Sequence, residues 1–277
     1  MSNATNKKIA CIMGPPSVGK SHSCMYLTNP EKWAYLNTDN KPLPFKDSFA
    51  VNKFVTDPLE ILDYVAAIEA DDNLQGGILD TLTFLMGLYE TQYVIHAVNK
   101  HEAWGNYGNF YKDFIHSLKT SSKDWLIFAH ETSEVNSQTG RLKSTIPIKG
   151  AVGKVGAEAD FTTILTAKEI PIDELEDHEN ELLLLTPDEI EDGSKRVFVT
   201  RTNAEYVGDK TRSPNNLWRR EELYIDNDVQ QVIDRMNNPL EVKPINKAEL
   251  RLQMQQKAQT SKKPKSKKDK KSKGKNK

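Results

Sequence analysis

Apolar positions along this chain follow two alternating rhythms: short buried runs, and longer stretches with helical spacing. The run "KIACIM" (residues 8–13) reads as a buried strand, and "KSHSCMYL" soon after it opens a helix. "NPEK" breaks the chain, and "WAYLNTD" forms a second strand that ends at Asp39. After the irregular "KPLPF" and the mixed "FAVNKFVT", the stretch "DPLEILDYVAAIEA" is a helix. Pro58 suits its first position, and Leu59, Leu62, Val65, Ala66 and Ile68 make one apolar face. "QGGILDTLTF" is a buried strand ending at Asp80, and a helix covers about residues 84–99. "KHEAWGNYGN" reads as a polar, aromatic loop, "FYKDFIHSLKT" as a helix and "DWLIFA" as a strand. A long Gly/Ser/Thr/Lys loop then spans about residues 131–149. "AVGKVGAEADFTTILTA" is a helix followed by a strand, "KRVFVTRT" a strand and "DNDVQQVIDRM" a closing helix. Apolar strands alternating with helices predict an α/β fold, a mostly parallel sheet with helices on both faces.

Between the first strand and its helix stands "GPPSVGKS", which fits the pattern G-x-x-x-x-G-K-[ST]. Gly14 and Gly19 let the loop turn tightly, so that the backbone N–H groups of residues 14–22 (Gly14, Pro15, Pro16, Ser17, Val18, Gly19, Lys20, Ser21 and His22, the prolines lacking one) surround a phosphate chain. Lys20 is placed to reach the β- and γ-phosphates, and Ser21 to put a hydroxyl on Mg²⁺. A phosphate-bound Mg²⁺ needs an acid at the end of another buried strand, and Asp80 in "GGILD" supplies it. Hydrolysis also needs a group that takes a proton from water. Thr81 occupies the position after Asp80, so the base comes from elsewhere: Asp39 first, Glu131 second. His130, at the carboxyl end of "DWLIFAH", is placed to contact the γ-phosphate and pass its loss to the following loop.

Charge adds a division of the chain. Its 277 residues carry a net charge of −1, but residues 257–277 hold eleven lysines against one acid, Asp269. Upstream of them stand 27 basic and 38 acidic side chains. The expected organisation is an ATPase domain over residues 1–240 and a disordered Lys-rich tail over residues 241–277. The tail is either a sequence-blind phosphate-binding arm or a solubilising extension. Residues 169–193 hold eleven acids and read as an acidic insertion or hairpin. Two cysteines, Cys11 and Cys24, make no disulfide framework, and no apolar run approaches a membrane span or a signal-peptide core. A soluble, cytoplasmic protein is expected.

In this order, "GPPSVGKS", "AYLNTD", "GGILDTLTFL", "WLIFAHE" and "VGDKTRSP" resemble the phage-encoded RecA-like ATPases, notably the Sak-type single-strand annealing proteins. The resemblance covers roughly residues 8–236, and neither the acidic insertion nor the lysine tail falls under it. It implies a RecA-like fold that binds ATP through Gly14, Gly19, Lys20 and Ser21 and coordinates Mg²⁺ through Asp80. Asp39 then matches the acid that activates water, although RecA-type enzymes usually carry Glu there, and His130 matches the polar γ-phosphate sensor. The place of work would be the cytoplasm of a bacterial host, on single-stranded DNA, alongside a single-strand DNA-binding protein.

The loop after His130 stands where that family's DNA-binding loop lies. It carries Arg141, Lys143, Lys149 and Lys154, too polar a set for a core and suited to tracking phosphates. In "NKHEAWGNYGNF", Trp104 and Phe110 either stack on bases or pack inside, whereas Tyr107, between two Gly-Asn pairs, reads as exposed and available for stacking. "GDKTRSPNNLWRR" concentrates Lys210, Arg212, Arg219 and Arg220. Of these, Lys210 and Arg212 are the candidates for reaching the γ-phosphate of a neighbouring subunit, which would require a ring or filament of copies of this chain. Against a DNA-stimulated ATPase stand a helicase loader or packaging ATPase and a nucleotide-dependent regulator. A small-molecule kinase is disfavoured, since no arginine-rich lid follows the P-loop.

Overall fold

Each strand of the sheet carries apolar residues on both faces, which obliges a layer of helices on either side. In β1 (Ile9–Gly14), Ile9, Cys11 and Met13 join one buried layer, while Ala10 and Ile12 join the other. The computed structural model, which describes residues 5–135, 142–202 and 210–241, shows a mixed α/β fold around an eight-stranded sheet. β1 is flanked by β5 (Asp124–His130) and β8 (Thr163–Pro171). On the β5 side follow β4 (Gly76–Asp80), β2 (Trp33–Asn37) and the edge strand β3 (Val51–Phe54). On the β8 side follow β9 (Ser194–Val199) and the edge strand β10 (Tyr224–Asp226). Only β9 runs against its neighbours, so the sheet is mostly parallel.

One face is covered by α1 (Glu60–Ala70), α2 (Leu82–Tyr89) and α3 (Lys100–Thr120), whose buried residues share a core with Leu36, Leu79 and Ile127. The other face is covered by α7 (Val229–Asn237) and the segment around Leu217 and Trp218, against Ile12, Tyr35, Ile78 and Phe128. Close packing explains the paired glycines of "GGILD". A Cβ on Gly77 would lie 2.3 Å from the ring of Trp125, so a side chain there would expel the indole from the adjacent strand.

Several elements differ from expectation. The segment after the P-loop is a five-residue 3₁₀ turn, His22–Tyr26, rather than an α-helix. Serine and histidine are weak helix formers, and Pro30 stops any extension. The stretch expected to be a polar loop is instead the first half of α3. Asn99 caps it by accepting from the Glu102 N–H, and Ala103, Tyr107, Phe110, Tyr111 and Phe114 recur at helical spacing. Gly105 and Gly108 obscure that period, and a side chain at either would meet nothing within 4 Å. Tyr107 is therefore not the exposed stacking residue expected. It is 2% exposed, its ring packed edge-on to Tyr89 and Trp104, because burying an aromatic face outweighs the weak turn preference of the flanking Gly-Asn pairs.

Part of the loop after His130 is an antiparallel hairpin, β6 (Thr132–Val135) and β7 (Leu142–Thr145), followed by α4 (Gly150–Val155). Its tip, with Arg141, lies outside the described residues. The acidic stretch closes an antiparallel pairing of β8 with β9 and contributes α5 (Ile172–Glu176) and α6 (Pro187–Asp192). Ile172, Leu175 and Leu183 anchor it to Val197, Val199 and Tyr224 in a small core of their own. Thus its acids ride on a folded element. The chain divides into one unit over Met1–Leu240 and a second over Glu241–Lys277, and the lysine tail lies outside the described residues. Among the described residues, no helix is long and apolar enough to cross a membrane.

Candidate nucleotide-binding site

The carboxyl ends of four parallel strands meet at one place. Gly14 pairs in register with His130, and Asn37 pairs with Asp80. The loop leaving β1 is held in an unusual conformation, with Gly19 at φ 90° and Ser17 at φ 67°. The second is costly for a residue with a Cβ, by about 1–2 kcal/mol, and such backbone clusters at ligand sites. Gly19 is also short of space: a Cβ there would lie 3.1 Å from Cδ of Arg196 and 3.3 Å from Nδ2 of Asn227.

Lys20 is buried, and its ammonium folds back over the loop, donating to the carbonyl oxygens of Gly14 (2.8 Å) and Pro15 (2.7 Å). Burial lowers its pKa from 10.5 to about 8, against the pull of Asp80, Glu131 and Asp39. Beside it, Ser21 donates its hydroxyl to Oδ2 of Asp80 at 2.5 Å, and the Tyr35 hydroxyl donates to the same oxygen. Asp80 is 5% exposed. Burial raises its pKa, while the Ser21 and Tyr35 hydroxyls and the charge of Lys20 hold part of that rise back. The main chain of Asp80 is held as well: Thr38 and Asp39 both donate backbone N–H groups to its carbonyl oxygen, at 2.8 and 3.3 Å.

A cavity of about 320 Å³ opens over these groups, lined among others by Ser17, Lys20, Ser21, Asp39, Asp80 and His130. The structure thus brings together the glycine-rich loop, Asp80, Asp39 and His130, four features that the sequence reading assigns to one site. Asp39 is ion-paired with Lys41 at 3.0 Å, and the Lys41 ammonium lies 5.9 Å from the centre of the Phe84 ring. Phe84 in turn sits edge-on to His130, 5.2 Å between ring centres. The backbone N–H of His130 donates to Thr83 Oγ1 (3.0 Å), and its Nδ1 is buried without a hydrogen-bond partner among the described residues. Burial, reinforced by Lys20, lowers the imidazole pKa, which favours the neutral ring at pH 7. Glu131 donates its N–H to the Gly14 carbonyl (3.2 Å), but its side chain is not among the described residues that line the cavity.

The donor set suits Mg²⁺. A carboxylate and a hydroxyl are hard oxygen ligands, and Mg²⁺ is usually held by one or two such groups together with phosphate oxygens and water. Among the described residues, no group of three or more His, Cys, Asp or Glu side chains could hold a metal alone, so any ion here would depend on the phosphates. Ser21 and Asp80 are the residues that would hold it.

The other predicted residues do not gather here. Arg212 is engaged within its own chain, donating through Nε to the Phe161 carbonyl (3.0 Å) and through Nη2 to that of Glu158, and Lys210 is half-buried. Lys149 is ion-paired with Glu90 (2.8 Å), while Lys143 on β7 and Lys154 in the last turn of α4 are exposed. Sequence reasoning missed Tyr35, Lys41, Arg196 and Asn227. Lys41, two residues beyond Asp39, could have been found from its spacing. Arg196 and Asn227 come from β9 and the turn after β10, and nothing local marks them.

No family model matches the chain, and no curated protein matches it.

The lowered pKa of Lys20 makes a prediction about binding. A bound triphosphate favours the charged ammonium and raises its pKa, so above pH 8 the bound state holds a proton that the free state lacks. Affinity for a triphosphate should be flat with respect to Lys20 from pH 7 to about 8, then fall by up to about tenfold per pH unit above it. Calorimetric titrations at pH 7, 8 and 9 in buffers of different ionisation enthalpy would measure both the loss and the proton uptake. Unchanged affinity and no proton uptake at pH 9 would contradict it.

Proposed function

We propose that this protein binds and hydrolyses ATP with Mg²⁺ on a RecA-like sheet, and that it acts on single-stranded DNA in annealing, recombination or replication. The observation that carries the reading is the joining of the P-loop to Asp80: the Ser21 hydroxyl lies 2.5 Å from the Asp80 carboxylate, beside the Lys20 ammonium. Strand order supports it further. β5 lies between the P-loop strand and the Asp80 strand, so His130 stands between the phosphate cradle and the strand-end acid, where a γ-phosphate sensor is needed.

Lys20 provides charge for the β- and γ-phosphates, in place of the two loop carbonyls it now contacts. Asp39, at the rim of the same cavity, takes the proton of the attacking water. Mg²⁺, when bound, neutralises charge on the phosphate oxygens. His130, a neutral imidazole lining the cavity, is the group that contacts the γ-phosphate through a ring N–H. Its strand leads into the β6–β7 hairpin, which carries Lys143; Arg141, two residues earlier in the sequence, lies outside the described residues. Loss of the γ-phosphate therefore has a short covalent route to the basic hairpin assigned to DNA. With Arg212 engaged at home, Lys210 is the cation for a neighbouring copy in a ring or filament.

The test is ATP hydrolysis by the full chain with no polymer, single-stranded DNA, duplex DNA or RNA. Stimulation is expected with single-stranded DNA, reduced in the double variant Arg141→Ala with Lys143→Ala and retained after deletion of residues 257–277. Hydrolysis that no nucleic acid stimulates would favour a helicase loader or packaging ATPase instead.

A further inference from the structure

We infer that Arg196 holds the non-transferred end of the phosphate chain, its α- and β-phosphates, from within the same copy of the protein. The inference rests on nucleotide binding at Lys20. Arg196 lies on β9, two residues before Phe198, whose ring is buried in the same layer as Val18 of the P-loop. Residues two apart on a strand share a face, so Arg196 stands on the loop's side of the sheet. Its stem passes the loop at Gly19, where a Cβ would lie 3.1 Å from Cδ of Arg196. The glycine thus serves twice, adopting a φ of 90° and leaving room for the arginine.

Among the described residues, the phosphate cavity is lined by three Lys or Arg side chains, and two are already engaged. Lys20 donates to the Gly14 and Pro15 carbonyls, and Lys41 pairs with Asp39 at 3.0 Å. Arg196 is exposed, and its guanidinium makes neither a hydrogen bond nor an ion pair among the described residues. Its cross-strand neighbour is Glu169, which instead accepts the Ser194 hydroxyl at 2.7 Å. The preceding residue shows the contrast: Lys195 is buried and paired with Glu189 (2.7 Å) and Asp226 (3.2 Å). An unpaired guanidinium beside a phosphate loop suits phosphate oxygens, which its planar fork grips at two points.

Position selects the end of the phosphate chain. Arg196 and His22 also line an adjoining cavity of about 670 Å³, whereas Asp39, Asp80 and His130 line the phosphate cavity alone. Those three are the groups assigned to the attacking water, Mg²⁺ and the γ-phosphate. Arg196 therefore stands at the far end of the chain from the reacting bond. A contact to phosphates that are not transferred is equally strong in the ground and transition states, so it sets affinity and leaves the chemical step alone. ADP keeps both of these phosphates and gains the same contact as ATP.

The experiment is equilibrium binding of ADP and of adenylyl imidodiphosphate, a non-hydrolysable ATP analogue, to the full chain with Mg²⁺. Single-turnover hydrolysis at saturating ATP accompanies it, for wild type, Arg196→Gln and Arg196→Lys. Arg196→Gln should weaken both nucleotides by the same factor, about 10- to 100-fold, the loss of charge-assisted hydrogen bonds to phosphate. The saturated hydrolysis rate should stay within a few-fold of wild type. Arg196→Lys, which keeps the charge and most of the stem, should recover part of the affinity for both. Because the side chain is exposed and unpaired, both variants should keep the wild-type melting temperature, which separates lost affinity from lost fold. Wild-type affinity for both nucleotides in both variants overturns the inference. So does a loss confined to the ATP analogue, which would put Arg196 on the γ-phosphate, or a collapse of the single-turnover rate at unchanged affinity. If the wild type binds neither nucleotide, the P-loop reading itself fails, a result distinct from wild-type binding that the variants leave intact.

Discussion

Lys20→Ala should reduce ATP turnover by about 10²–10³-fold or more while leaving the fold intact. The ammonium lines the phosphate cavity, and among the described residues it donates to carbonyls of its own loop, Gly14 and Pro15. Those bonds come at a desolvation cost that already lowers its pKa to about 8, so removing the side chain forfeits little stability. What disappears is a positive charge positioned, before any ligand arrives, where the β- and γ-phosphates would lie. The loss should therefore fall on turnover far more than on the melting temperature. Thermal unfolding and steady-state turnover, measured on the same preparation, separate the two. Wild-type turnover in a variant with an unshifted melting temperature would remove the nucleotide assignment altogether.

The second large effect is expected at Asp39. Asp39→Asn should keep nucleotide affinity within a few-fold and lower hydrolysis by about 10²–10⁴-fold, because an amide cannot accept the proton of water. Its ion pair with Lys41 is mostly exposed on the lysine side, so breaking it should change stability by no more than about 0.5–1 kcal/mol. Glu131→Gln is the control, since the Glu131 side chain is not among the described residues facing the cavity. Single-turnover hydrolysis with separately measured binding would distinguish the two acids. If Glu131→Gln stops hydrolysis and Asp39→Asn does not, the roles are reversed. Lys41 adds a check within the site: it holds Asp39 now, and a γ-phosphate entering the cavity would compete for it. Lys41→Met should therefore weaken affinity for ATP more than for ADP.

Much of this site is local in character, and local features are legible. The P-loop is eight consecutive residues whose glycines and lysine serve the turn they occupy. Asp80 and His130 each terminate an apolar run, and a parallel sheet gathers strand ends at one edge. The register of β1 with β5 and of β2 with β4 delivers that juxtaposition. Tyr107 shows the limit of such reading. Its flanking glycines and asparagines have turn propensities worth about 1 kcal/mol each, whereas burying the aromatic side chains on the α3 face is worth several times more. The environment that decided between loop and helix, Tyr89 on one side and Trp104 on the other, belongs partly to another helix.

By itself, then, the sequence determined the alternating α/β order, the mostly parallel sheet, and the identity of the loop, acid and histidine at its carboxyl edge. These follow from residue periodicity and from groups that act where they stand in the chain. Tertiary structure alone decided that Tyr35 shares the carboxylate of Asp80 with Ser21, that Arg212 is engaged by backbone carbonyls, and that Arg196 on β9 and Asn227 in the turn after β10 crowd Gly19 from far along the chain. Such contacts depend on which strands become neighbours and in what register, and a one-residue shift in pairing would point each side chain to the opposite face of the sheet. That information resides in the summed packing of both helical layers, and no short stretch of the chain contains it.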